Sequence, residues 1–320
     1  MNYRILGNTG IKVSEIGFGT WGIGGATSDG ANSYGETDDE ESLRALRTAF
    51  DLGITLYDTS NVYGYGHSEE LLGQAFKGLR DKVVIASKVG MVRHRGSFDV
   101  HGSYIRQEIE QSLKRLGTDY LDVYQIHSPP MELIRDTEDA VSTMLELKRE
   151  GKIKAFGISI KNPAEALIAI KEFGAETVQT NFNMIDQRAL EQGVFDLAQE
   201  RGVGVIARTP LAFGFLSGKI KDFNFSQEDH RSAWSKEQLQ RWADAPDLFS
   251  FVNRNPERTP TQLALQFCLG FNAVSTVIPG MLKVSEVEEN VRASELPGLT
   301  PEELENIELV YKKNEFFVKK

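Results

Sequence analysis

Four side chains that together could move a proton onto a carbonyl oxygen stand at or just beyond the ends of three apolar runs. They are Asp58 and Tyr63, then Lys88, then His127. A phenol, with an ordinary pKa of about 10, is a weak acid near neutrality. A neighbouring ammonium favours the phenolate, and a carboxylate paired to that ammonium fixes its position and keeps it charged. An imidazole can orient the carbonyl oxygen by hydrogen bonding. None of these groups donates hydride, so a reduction carried out here needs a cofactor. A metal is a poor fit, because His127 lacks a second His or carboxylate at ligand spacing.

The runs belong to a repeated unit, a short β-rich stretch followed by an amphipathic helix. The expected strands are 16–19, 54–57, 83–87, 121–126, 153–158, 177–180, 203–207 and 275–278. Several are nearly continuous apolar runs, as parallel strands buried on both faces require. Helices are expected over 38–51, 68–77 (opening at Ser68), 103–116, 137–150, 163–173, 188–201, 259–269 and 285–293. Alternation of this length predicts one α/β domain over 1–320, a (β/α)8 TIM barrel. A preceding β-hairpin, 3–6 with 12–14 around Gly7 and Gly10, is placed to plug the barrel bottom. An extra C-terminal helix is expected over 301–312, with Thr300 as N-cap and Pro301 at the first helical position. The long connections 22–37 and 210–258 are expected to serve as functional loops.

In such a barrel the active site lies at the C-terminal strand ends, which brings the four residues to one mouth. The remaining strand ends contribute Ser159, Gln179, Arg208 with Thr209, and Gly280. The stretch Gly17-Phe18-Gly19-Thr20-Trp21-Gly22 matches GxGxxG, but a Gly/Ser/Asn loop follows where a dinucleotide-binding unit needs a helix. It reads as a strand end where backbone passes close to a neighbour.

A net charge of −10 argues against nucleic acid or an anionic membrane as partner. The single cysteine, Cys268, lies in an apolar helical stretch and reads as a small core residue. One thiol allows no disulfide framework, residues 1–10 carry no apolar leader, and a cytoplasmic location is expected.

The order and spacing of several segments resemble the aldo-keto reductase superfamily over nearly the whole chain. They are Leu52-Gly53-Ile54-Thr55-Leu56-Tyr57-Asp58-Thr59-Ser60 with Val62-Tyr63-Gly64, Ser87-Lys88-Val89 and Leu121-Asp122-Val123-Tyr124-Gln125-Ile126-His127. Gly157-Ile158-Ser159, Val178-Gln179-Thr180-Asn181-Phe182-Asn183, Pro210-Leu211-Ala212 with Ser217-Gly218-Lys219, and Ile278-Pro279-Gly280 with Glu289-Asn290 complete the match. The resemblance implies an NAD(P)H-dependent oxidoreductase that reduces an aldehyde or ketone, sugars included, to an alcohol. Tyr63 would be the general acid, supported by Lys88 and Asp58, with His127 orienting the carbonyl. Gly19, Thr20 and Trp21 would border nicotinamide and substrate, and Ser159 and Gln179 would hold the carboxamide. Arg208, Thr209, Pro210 and Leu211 with Gly218 and Lys219 would contact the pyrophosphate side. Gly280, Lys283, Glu286, Glu289 and Asn290 would surround the adenosine end.

Three positions depart from the family pattern. Ile160 follows Ser159 where many relatives carry Asn, Arg208 stands where many stack Tyr or Trp, and Glu286 stands where Arg or Gln is frequent. Glu286 disfavours a 2′-phosphate and Lys283 favours one; the family implies NADP(H) first, with NAD(H) as the alternative. Trp21, Tyr63, His127 and the 22–37 loop are expected to line the substrate pocket, with Tyr34, Glu36, Phe213 and Trp234 as further candidates. The partner expected is a small carbonyl or alcohol, and the chain is expected as a monomer or homo-oligomer. A cofactor-binding regulatory subunit resembling the potassium-channel β-subunits is the alternative function. A lyase forming a Schiff base on Lys88 is a further one.

Overall fold

The computed structural model describes residues 1–27, 33–93 and 96–318. The chain opens with an antiparallel hairpin, β1 (Tyr3–Ile5) and β2 (Lys12–Ser14). Parallel strands follow: β3 (Phe18–Gly19), β4 (Leu56–Asp58) and β5 (Val84–Val89). A second, small hairpin, β6 (Met91–Arg93) and β7 (Ser97–Phe98), interrupts the alternation. It is followed by β8 (Leu121–His127), β9 (Ile153–Ser159), β10 (Thr177–Asn181), β11 (Gly204–Arg208) and β12 (Val274–Ile278).

Strands β3, β4, β5 and β8 to β12 pair in parallel in chain order. Parallel bridges Ile16–Val277 and Gly19–Gly280 bring the first strand to the last, which closes the ring. Every residue of β4, β8 and β12 is buried, which explains their mostly apolar character; the polar exceptions, among them Asp58, Gln125 and His127, are buried too. Inside the ring, Leu56, Ala86, Val123, Ala155, Ile206 and Ile278 pack with Leu6, Ile11 and Val13 of the opening hairpin. The hairpin therefore plugs the barrel bottom. Its turn sits so close to β11 that a Cβ on Gly7 would lie 2.3 Å from Gly204 N. With φ at +52°, that position calls for glycine twice over.

The surrounding helices are α1 (Asp39–Asp51), α2 (His67–Ala75), α3 (Gly102–Leu116), α4 (Met131–Asp136), α5 (Ala140–Arg149) and α6 (Glu165–Lys171). They continue with α7 (Arg188–Glu191), α8 (Val194–Arg201), α9 (Lys236–Phe249), α10 (Pro260–Leu269), α11 (Val284–Arg292) and α12 (Pro301–Lys313). Four differ from expectation. Residues 188–201 form two helices, because Gly193 takes φ 71° between them. Residues 137–150 are preceded by α4, from which Thr137 departs in an extended conformation. The 210–258 connection carries α9, capped by the Ser235 side chain on Gln238 N. Helix α2 begins at His67, and Ser68 is no cap: its buried hydroxyl lies 2.6 Å from Thr20 Oγ1. Residues 28–32 of the 22–37 connection lie outside the described residues.

Helix α12 is fastened to the barrel by a sealed ion pair. Arg258 Nη1 donates to Glu303 Oε1 at 2.7 Å with both side chains almost wholly buried, and Thr300 N donates to the other oxygen. Burial opposes ionisation of Glu303, but the Thr300 N–H and the Arg258 guanidinium outweigh it and hold its carboxyl below the usual range. Its contribution to stability is present above the ordinary carboxylate pKa and is lost as pH falls through the lower folded value. Glu303→Ala is expected to cost about 3 kcal/mol at neutral pH by leaving Arg258 unpaired. In denaturant titrations the gap to wild type should narrow below about pH 4; a constant gap would show that the charge is not the cause.

Candidate active site

The C-terminal ends of the strands open into a cleft of about 820 Å³, within the range of about 300–1,000 Å³ usual for ligand pockets. Strand register sets its centre. Gly19 pairs with Asp58 and Asp58 with Ala86, so β5 carries Lys88 beyond the level of Asp58. His127 pairs with Ser159, and Ser159 with Gln179.

Lys88 is fully buried, and its ammonium donates to Asp58 Oδ1 at 2.5 Å, Thr59 O at 2.9 Å and Tyr63 Oη at 3.0 Å. Burial alone would lower the pKa of Lys88. The Asp58 carboxylate and the Tyr63 oxygen more than offset it, and the pKa lies above the ordinary lysine value. Asp58 is held from its other side, where Oδ2 accepts from Gln179 Nε2 at 2.7 Å and Gln125 Nε2 at 3.4 Å. Tyr63 sits on a turn in which Gly64, Tyr65 and Gly66 all have positive φ. That sharp turn brings the Tyr63 ring edge-on to His127, with centroids 5.9 Å apart. Ser60 Oγ lies 3.1 Å from His127 Nδ1.

Of the residues singled out in the sequence, Gly19, Trp21, Asp58, Tyr63, His127 and Gln179 line the cleft. So do Arg208, Thr209, Pro210, Leu211, Lys219, Gly280, Glu286, Glu289 and Asn290. Five others stand back from it. Lys88 lies beneath Tyr63. Thr20 is fully buried and donates to Asp58 O. Ser159 is buried against Ser128. Lys283 is exposed at the start of α11, and Gly218 turns behind Lys219 at φ +70°. Among the proposed substrate residues, Tyr34 and Phe213 line the cleft, whereas Glu36 and Trp234 do not. Trp21 packs between Tyr34 and His230, with centroids 5.0 and 4.6 Å away, and Arg231 lies over Tyr34.

Sequence reasoning missed several contributors. Gln125 holds Asp58 from the middle of a buried strand, and Ser60 contacts His127. Met91 and Phe98 bring the β6–β7 hairpin to the cleft wall. Gly90 precedes that hairpin and Gly96 lies between its strands, and these glycines were the signal available for it.

Several features suit a long cofactor with phosphates. Thr261, the second residue of α10, lines the cleft with a buried hydroxyl that has no partner among the described residues, at a helix N-terminus whose dipole favours anions. Lys219 bridges to Glu289 across the groove, and Glu289 also accepts from Thr259 Oγ1. Glu286 lines the groove, but Oε2 is committed to Leu282 N at 2.7 Å and Lys283 N at 3.3 Å. Arg208 lines it too, donating to Ile160 O at 2.9 Å while its buried Nε has no partner among the described residues.

A barrel with such a mouth defines an oxidoreductase of the aldo-keto type, and the comparisons agree. The model of the Aldo/keto reductase family matches residues 15–312, so the chain belongs to that family. It is 33% identical to the aldo-keto reductase YhdN of Bacillus subtilis (strain 168), over 94% of this chain and 90% of that protein. It is 31% identical to the NADH-specific methylglyoxal reductase of Escherichia coli (strain K12), over 90% of this chain and 92% of that protein. Among solved structures it matches the holo form of aldo-keto reductase AKR11C1 from Bacillus halodurans with a TM-score of 0.79. That match is 30% identical and covers 97% of this chain and 96% of the other. Among the described residues, no helix is long and apolar enough to cross a membrane.

Proposed function

We propose that the chain reduces aldehydes or ketones, sugars included, to alcohols with a nicotinamide cofactor, and that Tyr63 is the general acid. The observation that carries this reading is the hydrogen-bonded line from Asp58 through Lys88 to the Tyr63 hydroxyl, 2.5 and 3.0 Å long. Because the ammonium donates to the phenolic oxygen, the phenol's own proton is directed away from Lys88. It is free for a carbonyl oxygen placed between Tyr63 and His127. The cofactor, when bound, supplies the hydride to the carbonyl carbon.

Tyr63 gives up its proton as the alcohol O–H forms, and the charge left on its oxygen faces the Lys88 ammonium. That arrangement is already in place before reaction, so little reorganisation opposes the step. Solvent then returns a proton to Tyr63. If Ser60 donates its hydroxyl proton to His127 Nδ1, the imidazole carries its own proton on Nε2 and can donate it to the carbonyl oxygen. Lys88 is an ammonium with all three donors occupied, which weighs against a Schiff base. We take the protein to act in the cytoplasm, as a monomer or homo-oligomer, on small molecules.

At the adenosine end, the Glu286 carboxylate faces a free ribose 2′-hydroxyl well and a 2′-phosphate badly, and exposed Lys283 acts in the opposite sense. The family implies NADP(H); these opposed charges predict that NAD(H) is accepted alongside it, discriminated by less than about tenfold. Glu286→Arg is expected to raise the NADPH-to-NADH affinity ratio by about tenfold or more. An unchanged ratio would remove Glu286 from this role.

The reduction itself is tested by supplying cofactor deuterated at the transferable nicotinamide position together with an aldehyde panel. One deuterium on the carbinol carbon of the product is expected. Alcohol without label would defeat the hydride reading.

A further inference from the structure

Most charges around the cleft are paired; among the described residues, Lys161 at the rim and Arg208 deeper in have no ion pair. Asp58 holds Lys88, Glu289 holds Lys219, and Asp229 holds Arg231 with two oxygens. Glu286 accepts from two backbone N–H groups through Oε2. Lys161 lines the cleft from an exposed position at the rim, where Glu165 caps the neighbouring backbone. Among the described residues, Arg208 has no carboxylate within ion-pair distance; it donates instead to the backbone carbonyl of Ile160.

Strand β11 aims Arg208 at the mouth, between its register partners Asn181 and Ile278. Two residues before Asn181, Gln179 bonds Asp58, so Arg208 belongs to the same small space as the Asp58–Lys88–Tyr63 line. Burial pulls the Arg208 pKa below the ordinary arginine value, while Tyr63, Asp58, Asp186 and Glu165 act in the opposite sense. A guanidinium keeps its charge under such a pull.

Hydride transfer confines the nicotinamide to this space. The ring must approach to about 3.5 Å of the carbonyl carbon whose oxygen lies on Tyr63 and His127. A reduced nicotinamide ring is neutral and an oxidised one is a cation. We infer that Arg208 makes the cleft selective for the redox state of its cofactor, binding the reduced form and expelling the oxidised one. The inference rests on the nicotinamide reading above and deepens it. It bears on the catalytic cycle, because a site that repels the oxidised ring speeds release of the spent cofactor once hydride has left it. At a separation of several ångströms in a partly solvated cleft, one unit charge is worth about tenfold in affinity between the two forms.

Direct binding measures this without turnover. Wild type, Arg208→Met and Arg208→Lys are titrated calorimetrically with NADH, NAD+, NADPH and NADP+. Wild type is expected to hold each reduced form about tenfold more tightly than its oxidised partner. Arg208→Met should bring the two within about threefold, chiefly by gaining affinity for the oxidised form, and Arg208→Lys should keep most of the preference. Arg208→Gln, which retains a donor for Ile160 O, serves the same purpose if the Met variant does not fold. Equal wild-type affinities for both redox states, or a preference that survives loss of the charge, would overturn the inference alone. Failure of wild type to bind either redox state would overturn the nicotinamide reading as well.

Discussion

Tyr63→Phe is expected to abolish carbonyl reduction almost entirely while leaving cofactor affinity near the wild-type value. The substitution removes one oxygen and leaves the ring that packs against His127. Proton donation by a positioned side chain is worth about 10²–10⁴-fold, and little else in the cleft can replace this donor. Lys88 is the nearest candidate, but its ammonium is buried and tied to Asp58 and Thr59. Rate and affinity should therefore separate: kcat falls by at least about a hundredfold and the cofactor Kd moves by less than about threefold. A variant that retains more than a tenth of wild-type kcat would remove Tyr63 from the acid's role. Parallel loss of cofactor binding would point to a disturbed cleft.

Lys88→Met should strike both activity and stability. Its ammonium is fully buried, and removing it leaves the Asp58 carboxylate facing only two amides. Breaking a buried pair from one side costs about 3–5 kcal/mol, much of it from the stranded charge. Activity should fall by at least about a hundredfold, since charge developing on the Tyr63 oxygen loses its counterion. The pKa of Lys88 is raised in the folded protein. Its contribution is thus complete below the ordinary lysine value and is lost only as pH rises through the higher folded one. The stability difference between variant and wild type should accordingly stay level from neutrality up to about pH 10. A difference that already shrinks between about pH 7 and 9 would mean Lys88 is not the ammonium described.

The barrel was legible because strands buried on both faces are mostly apolar and alternate with amphipathic helices along the chain. The four central residues were legible because three strands end on them. Polar residues inside strands were harder. Gln125 sits mid-strand and fully buried, where an isolated amide looks like an accident until Asp58 is seen opposite. Thr20 and Ser68 misled in the converse way: their hydroxyls suit a ligand or a cap, but each is spent on tertiary contacts at 2.8 and 2.6 Å. Helix α9 went unread because the 210–258 stretch lacks a strand to announce it, although Ser235 caps it as a serine should. Gly193 looked tolerable inside a helix and instead ends one, since its φ of 71° lies outside the helical region. Pairing between distant charges lies beyond sequence inspection. The isolation of Arg208 became visible only when Lys88, Lys219 and Arg231 were each found beside a carboxylate.

The most direct test of carbonyl reduction follows the oxidation of NADPH and, separately, NADH by the purified protein. The wild-type chain is mixed with a panel of short aldehydes, aldoses and aromatic aldehydes, and nicotinamide absorbance is recorded. The geometry of Tyr63, Lys88, Asp58 and His127 predicts catalytic turnover with at least one carbonyl. Tight binding of the reduced cofactor with no turnover across the panel would contradict it and favour a protein that uses the cofactor to regulate a partner.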